Sequence, residues 1–347
     1  MIQNGGIHEA SADRMTTTAA ATATSVAIDV VICTYNRAAN LHEALSVLAA
    51  QRASSDVIWS VLVVDNGSTD STPDVVEAHR LRRLLPGLRR VVENELGLTP
   101  ARRRGVRETS APWIAFVDDD NLLDPGWLDA IARAIRRNPE SGGIGGRVVL
   151  DWEKSPPNFV RGFGWCFAEQ ELGQAACRVD GLVGAGMVVR RAALVECGWL
   201  ERPLLSDRAG KRLMSGGDVE IAQRIRSTGY PLWFAPDAVL RHRIASDRAS
   251  WHYLLRVNHG LGASEALISA LGWPADWRSW RRAAQRRAVN RFARAFRQRR
   301  ELVVTLARLS YAIGFVRGMY ACMVLAPEDR QVLLGAAAAQ KRATPRR

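Results

Sequence analysis

Trp113-Ile114-Ala115-Phe116-Val117-Asp118-Asp119-Asp120 decides the fold of this 347-residue chain. The first five residues are apolar and rich in strand formers, so they read as a buried strand, and three consecutive carboxylates close it. Like charges at that spacing repel and raise one another's pKa. Two readings of such a strand end are open. A divalent cation bridging to a phosphate would relieve the repulsion, because hard oxygen ligands suit Mg²⁺ or Mn²⁺. Alternatively, the triplet is a solvated acidic turn that opens the next helix, with Asp124 and Pro125 as its start signal.

Upstream, the same grammar repeats. An apolar, β-branched run at 28–33 and strands at 60–64 and 89–92 alternate with helical patterns at 41–48, 72–79 and 100–108, and another helix covers 127–136. This β-α-β repetition predicts an α/β fold with a mostly parallel central sheet and flanking helices. Ligands of such sheets gather at the carboxyl ends of the strands. Three polar clusters fall at those ends: Thr34-Tyr35-Asn36-Arg37, Asp65-Asn66-Gly67-Ser68 and Asp118-Asp119-Asp120. From 143 the pattern is mixed, with strands at 148–150, 186–189 and 232–234, an irregular excursion over 152–180 and a helix at 219–226.

Composition narrows the function. Hydrophobic residues make up 47%, enough for a packed core, and the net charge of +13 calls for a polyanionic partner. Nucleic acid, an anionic membrane or a phosphorylated substrate would each qualify. The five cysteines are scattered with no CxxC pair, which argues against a zinc site or disulfide framework and for a reducing, cytoplasmic setting. Residues 1–26 lack the basic start and apolar core of a signal peptide and read as a flexible tail. No run reaches about 18 uninterrupted apolar residues, so no clear transmembrane helix is expected. Beyond 250 the chain is helical and basic. Trp273, Trp277 and Trp280 recur at helical spacing, followed by ten arginines from Arg278 to Arg300 with no acid between them. Tryptophan plus arginine on one helix predicts a peripheral anchor on an anionic membrane; an extra helical layer on the core is the other reading. No nucleic-acid module is recognisable, so no nucleic-acid partner is expected.

Five pieces in order resemble glycosyltransferase family 2: V-V-I-C-T-Y-N-R at 30–37, V-V-D-N-G-S-T-D at 63–70, G-L-T-P-A-R-R-R-G at 97–105, F-V-D-D-D-N at 116–121 and G-G-D-V-E-I at 216–221. The resemblance spans roughly 28–245. With the later L-R-H-R-I-A-S-D-R, it is similar to bacterial members that build cell-surface polysaccharides. It implies the GT-A fold over 27–248, with a nucleotide-binding half (27–121) and an acceptor half (122–248), followed by a basic helical region (249–347). It also implies an inverting transfer from a nucleotide-diphosphate sugar, UDP-type in most relatives, to a glycan or lipid-linked acceptor. The enzyme would work in the cytoplasm or on the inner face of the plasma membrane.

By the same resemblance, Thr34, Tyr35, Asn36, Arg37, Asp65, Asn66, Arg102, Asp118 and Asp119 would bind the nucleotide sugar. Asp120, with Asp118 and His242, would hold Mn²⁺ or Mg²⁺. Asp218 would be the catalytic base, and Gly184, Ala185, Gly186 and Glu220 would line the acceptor cleft. Two departures stand out: Arg103 replaces the usual Asn after Arg102, and Gly217 replaces the Glu that normally precedes the base. Two rivals remain. A sugar-phosphate nucleotidyltransferase uses a similar fold, but the Gly-rich loop expected after the first strand is absent. A non-catalytic membrane-surface adaptor would explain Gly217 but not the retained carboxylates.

Overall fold

A computed structural model of the protein describes residues 25–205, 216–271, 273, 276–297, 302–325 and 330. Residues 1–24 of the expected tail, and Arg299 and Arg300 of the basic run, lie outside the described residues. The sheet begins at Val26, one residue before the expected boundary.

The first half alternates as the sequence pattern predicts: β1 (Val26–Thr34), α1 (Ala38–Ala49), β2 (Val57–Asp65), α2 (Thr72–Arg82), β3 (Arg89–Val92), α3 (Leu98–Arg107), β4 (Trp113–Asp118), β5 (Asn121–Leu123) and α4 (Trp127–Arg137). The second half adds β6 (Gly143–Trp152), α5 (Asn158–Arg161), a 3-10 turn (Gly164–Phe167), β7 (Cys177–Val179), β8 (Met187–Arg190), α6 (Arg191–Glu196), α7 (Gly217–Ser227) and β9 (Leu232–Ile244). A 3-10 turn (Ser246–Ala249) leads into three long helices, α8 (Trp251–Ala270), α9 (Trp277–Arg297) and α10 (Leu302–Val324).

One sheet runs β3-β2-β1-β4-β8-β6-β9-β5, with β7 on β9. The four strands from β3 to β4 are parallel, and β8 joins β4 antiparallel. Two apolar clusters, one on each face of the sheet, explain why these strands read as continuous hydrophobic runs. The strand order reverses between β1 and β4, and such a switch point opens a crevice at the strand ends. Thr34 is in register with Asp65, and Cys33 with Asp118, so the three polar clusters meet there.

The last three helices form a layer with its own apolar cluster around Trp280, Phe315 and Met319. α8 and α10 pack backbone to backbone. A side chain at Gly262, Gly314 or Gly318 would strike the carbonyl of Tyr311, His259 or Ala263 respectively. The tryptophans do not form an outward membrane face. Trp280 is 0% exposed, Trp277 stacks on it at 4.5 Å, and Trp273 precedes α9 and donates to Ser279. Packing claims the rings, while most of the α9 arginines stay in solvent. By length and composition α10 could cross a membrane, although the sequence led us to expect no such helix, and a third of its most apolar window is buried.

Candidate active site

Thr34, at the end of β1, is buried and donates its hydroxyl to Asp119 Oδ2 at 2.8 Å. Tyr35 projects outward at 48% exposure, where a ring can meet a planar ligand. Asn36 adopts φ +51, a left-handed conformation that Asn tolerates better than most residues. Its side-chain oxygen accepts from Thr69 N at 2.7 Å, which ties the β1 loop to the β2 loop. Arg37 reaches back to both Asp119 (3.3 Å) and Asp120 (3.2 Å).

Asp65 and Asn66 are more committed to the fold than their sequence pattern suggests. Asp65 accepts from Ser68 N (2.8 Å) and from Arg90 of β3 (2.7 Å). Asn66 donates to the carbonyls of Glu93 and Glu95 and accepts from Gly97 N, so it holds the loop that leads into α3. Arg90 is a partner that the sequence did not single out. It stands on an edge strand, and only the β2–β3 register places it beside Asp65.

The triplet splits three ways. Asp118 is partly exposed and lies 3.6 Å from Arg102 Nη2. Asp119 is buried, and burial raises its carboxyl, reinforced by the charge of Asp120 and only partly offset by Arg37 and Thr34. Burial acts on Asp120 in the same sense, but His242, Arg248 and Arg37 outweigh it and hold that carboxyl well below the usual range. His242 Nε2 faces Asp120 Oδ1 at 3.4 Å and Arg248 Nη1 faces Oδ2 at 3.4 Å. His242 Nδ1 meets the Phe167 carbonyl at 2.7 Å. An Nδ1–H donated to that carbonyl would fix the ring with Nε2 on the Asp120 side, the way metal-binding histidines are oriented through their other nitrogen. Arg248 is a second residue that sequence reasoning passed over, although it ends the stretch L-R-H-R-I-A-S-D-R that contains His242.

Asp218 lies in the first turn of α7. It follows Gly217, so it is not the helix cap. Its Oδ2 accepts from Gly184 N at 2.7 Å and its Oδ1 from Val219 N at 2.9 Å. A methyl carbon at Gly184 would stand 3.1 Å from Arg102 Nη2 and 3.2 Å from Asp218 Oδ2. Glycine there brings Asp118, Arg102 and Asp218 into one cleft, and Arg102, 4% exposed, lies over the Phe116 ring at 5.4 Å.

Three residues expected in the acceptor cleft are elsewhere. Glu220 is 0% exposed; it accepts from Leu204 N, Leu205 N and Arg224 Nε, so it holds the chain that packs over α7. Ala185 lies in the core cluster, and Gly186, at φ +68, packs against Leu240 and Trp127. Both lie in the turn just before β8, and of the three consecutive residues it is Gly184 that borders Arg102 and Asp218.

The glycosyl transferase family 2 model matches residues 29–198, which include the β1, β2 and β4 strand ends. Residues 29–198 are a family 2 glycosyltransferase domain. The chain is 23% identical over 254 residues to a glucosyl-dolichyl phosphate glucuronosyltransferase of Haloferax volcanii, covering 70% of this chain and 78% of the relative. Among solved structures it resembles Staphylococcus aureus TarS 1–349 in complex with UDP (15% identity, TM-score 0.50, 85% of this chain and 91% of that one). It also resembles the mannosyltransferase PcManGT of Pyrobaculum calidifontis with GDP-Man and Mn²⁺ (20% identity, TM-score 0.51, 92% and 81%). At these identities the structures establish that the family 2 domain has the GT-A fold.

Among the described residues, no group of three or more His, Cys, Asp or Glu is gathered closely enough to hold a metal ion unaided. Asp120 and His242 form a pair, and a Mg²⁺- or Mn²⁺-type ion commonly completes its shell with substrate phosphates and water. The residues present therefore fit a metal shared with the substrate.

Proposed function

We propose that this glycosyltransferase moves a sugar, with inversion, from a nucleotide-diphosphate donor to a lipid-linked or growing surface glycan. The observation that carries the reading is the meeting of Asp218 with Arg102 and Asp118 across Gly184. A base on one side of a cleft and an anion-binding cation on the other suit a single displacement.

In that step the acceptor hydroxyl oxygen attacks the anomeric carbon and its proton passes to the Asp218 carboxylate. The bond from the anomeric carbon to the diphosphate oxygen breaks, and its electron pair leaves with the nucleoside diphosphate. Gly184 N and Val219 N hold Asp218 in place, and each carboxylate oxygen keeps a lone pair for the proton. Tyr35 and the loop fixed by Asn66 would contact the base and ribose. Arg37, Arg102 and Arg248 would draw the diphosphate toward the β4 end. Asp120 and His242 would hold Mn²⁺ or Mg²⁺, which would neutralise the diphosphate as a leaving group. A UDP-type donor is the family's commonest pattern, although UDP and GDP-Man occur with the two structural neighbours.

The basic helices would keep the enzyme on the cytoplasmic face of an anionic membrane. Supporting this, Leu302, Leu306, Ile313, Val316, Tyr320 and Val324 form an exposed apolar stripe along α10. A panel of nucleotide sugars assayed for Mn²⁺- or Mg²⁺-stimulated hydrolysis tests the reading. One or two donors should be turned over with release of a nucleoside diphosphate. Release of pyrophosphate from a nucleoside triphosphate would favour a nucleotidyltransferase instead, and silence across the panel would favour an adaptor.

A further inference from the structure

The C-terminal layer borders an open cavity of about 590 Å³ between α8–α10 and the 158–167 segment. That is the size of a small-molecule site. One side is aromatic, formed by Phe163, Trp165 and Tyr311, with Trp165 edge-on to Tyr311 at 5.9 Å. The other side is cationic, with Arg291 and Arg294 from α9 and Arg308 from α10, and no carboxylate among the described residues lines the cavity. Glu265, outside it, pairs with Arg291 and accepts from the Tyr311 hydroxyl, which leaves two guanidiniums without a compensating lining acid. Nη1 of Arg308 is buried with no hydrogen-bond partner among the described residues. A buried donor in that state is costly until an acceptor arrives.

We propose that this cavity binds the phosphorylated head and first apolar units of a prenyl-phosphate-linked acceptor. The inference rests on the lipid-linked acceptor reading above. Planar guanidiniums bind phosphate oxygens in pairs, and an aromatic wall suits the unsaturated units next to the head. Location supports the same occupant. Trp165 belongs to the 3-10 turn whose Phe167 carbonyl positions His242, so the cavity and the diphosphate site share that turn. Arg308 and Tyr311 belong to the helix that bears the exposed apolar stripe, which gives the rest of a long tail a route to the bilayer.

Farnesyl phosphate, kept below its aggregation limit, is the probe, with farnesol and inorganic phosphate as partial ligands. Calorimetric titration of the full chain should give binding of farnesyl phosphate and at least about tenfold weaker binding of either partial ligand, because the head and the tail contribute together. The double variant Arg294→Gln/Arg308→Gln should lose at least about tenfold in farnesyl phosphate affinity, as expected when charge-assisted hydrogen bonds disappear. Trp165→Ala, which leaves every arginine in place, should weaken farnesyl phosphate but not inorganic phosphate. Donor-nucleotide affinity serves as the folding control. Wild-type affinity for farnesyl phosphate in the double variant, or no binding by the parent chain, overturns the proposal. So does farnesyl phosphate blindness combined with arginine-dependent binding of phosphatidylglycerol vesicles, which would make the patch a bilayer contact. If arginine-dependent farnesyl phosphate binding persists while no nucleotide sugar is hydrolysed, the cavity stands and the transferase mechanism falls.

Discussion

Asp218 and Glu220 stand two residues apart on the first turn of one helix and have opposite surroundings. Asp218 is half-buried and faces the cleft beside Arg102, whereas Glu220 is sealed against Arg224 and two backbone amides. Asp218→Asn should lower transfer by about 10²–10⁴-fold, the usual contribution of a general base, with little change in donor affinity. Full turnover in a coupled nucleoside-diphosphate assay would remove Asp218 from the role of base. Glu220→Gln should leave Arg224 and the Leu204 and Leu205 amides poorly matched and cost about 3–5 kcal/mol, measured as a shift in the urea midpoint. Asp120→Ala should abolish any response of donor binding to Mn²⁺, read by titration with and without the ion. An unchanged response would place the metal elsewhere. The pattern G-G-D-V-E-I displays both acids equally. The segment at Leu204 and Leu205 that claims Glu220 lies outside that pattern, so the division of labour was not legible locally. Arg248 escaped for a related reason: a lone arginine after a strand has meaning only once β9 is seen to pair with β5 beside Asp120.

At the scale of elements, the nucleotide half was legible because β1, β2 and β4 are largely apolar runs ended by polar residues. Its boundaries extend by only a few residues in the structure, where β1 covers Val26–Thr34 and β2 covers Val57–Asp65. The acceptor half was harder to read. β9 covers Leu232–Ile244, of which only the first three residues showed a clear pattern, since Pro236, Asp237 and three basic residues interrupt the apolar run. The tryptophan spacing correctly placed Trp277 and Trp280 on one face, but periodicity cannot say whether that face meets lipid or protein. Here it meets α8 and α10. Close packing of α8 on α10 yields a test at this scale. Gly314→Leu should force the two helices apart, an overpacking of about 1–3 kcal/mol or more. Hydrogen exchange should then quicken in α10 while β1, β2 and β4 stay protected. Uniform loss of protection would mean that the helical layer and the sheet unfold as one unit.

At the scale of the whole molecule, +13 of net charge and an apolar stripe on α10 predict co-sedimentation with anionic vesicles that falls as salt rises. Ile313→Asp combined with Tyr320→Asp should reduce that binding without altering donor hydrolysis in solution. Binding to neutral vesicles of equal strength would argue against an electrostatic anchor. α10 did not read as a membrane-length segment because Arg308 and Arg317 interrupt it; on the helix Arg317 falls beside the exposed apolar stripe, four residues from Ile313 and three from Tyr320, whereas Arg308 lines the cavity. The order of assembly is set by β9. It pairs with β6 along most of its length and clips β5 to the sheet, with Asn121 opposite His242 and the Arg243 amide on the Asp120 carbonyl. Two of the side chains that face Asp120 therefore arrive some 120 residues after it, and long-range strand insertion of this kind is slow. A ribosome-bound chain that has emerged only as far as α7 has its donor-side loops but no His242 or Arg248. On the proposed roles of His242 and Arg248, chemical competence would come as a late event in biosynthesis, after nearly all of the sheet has been translated.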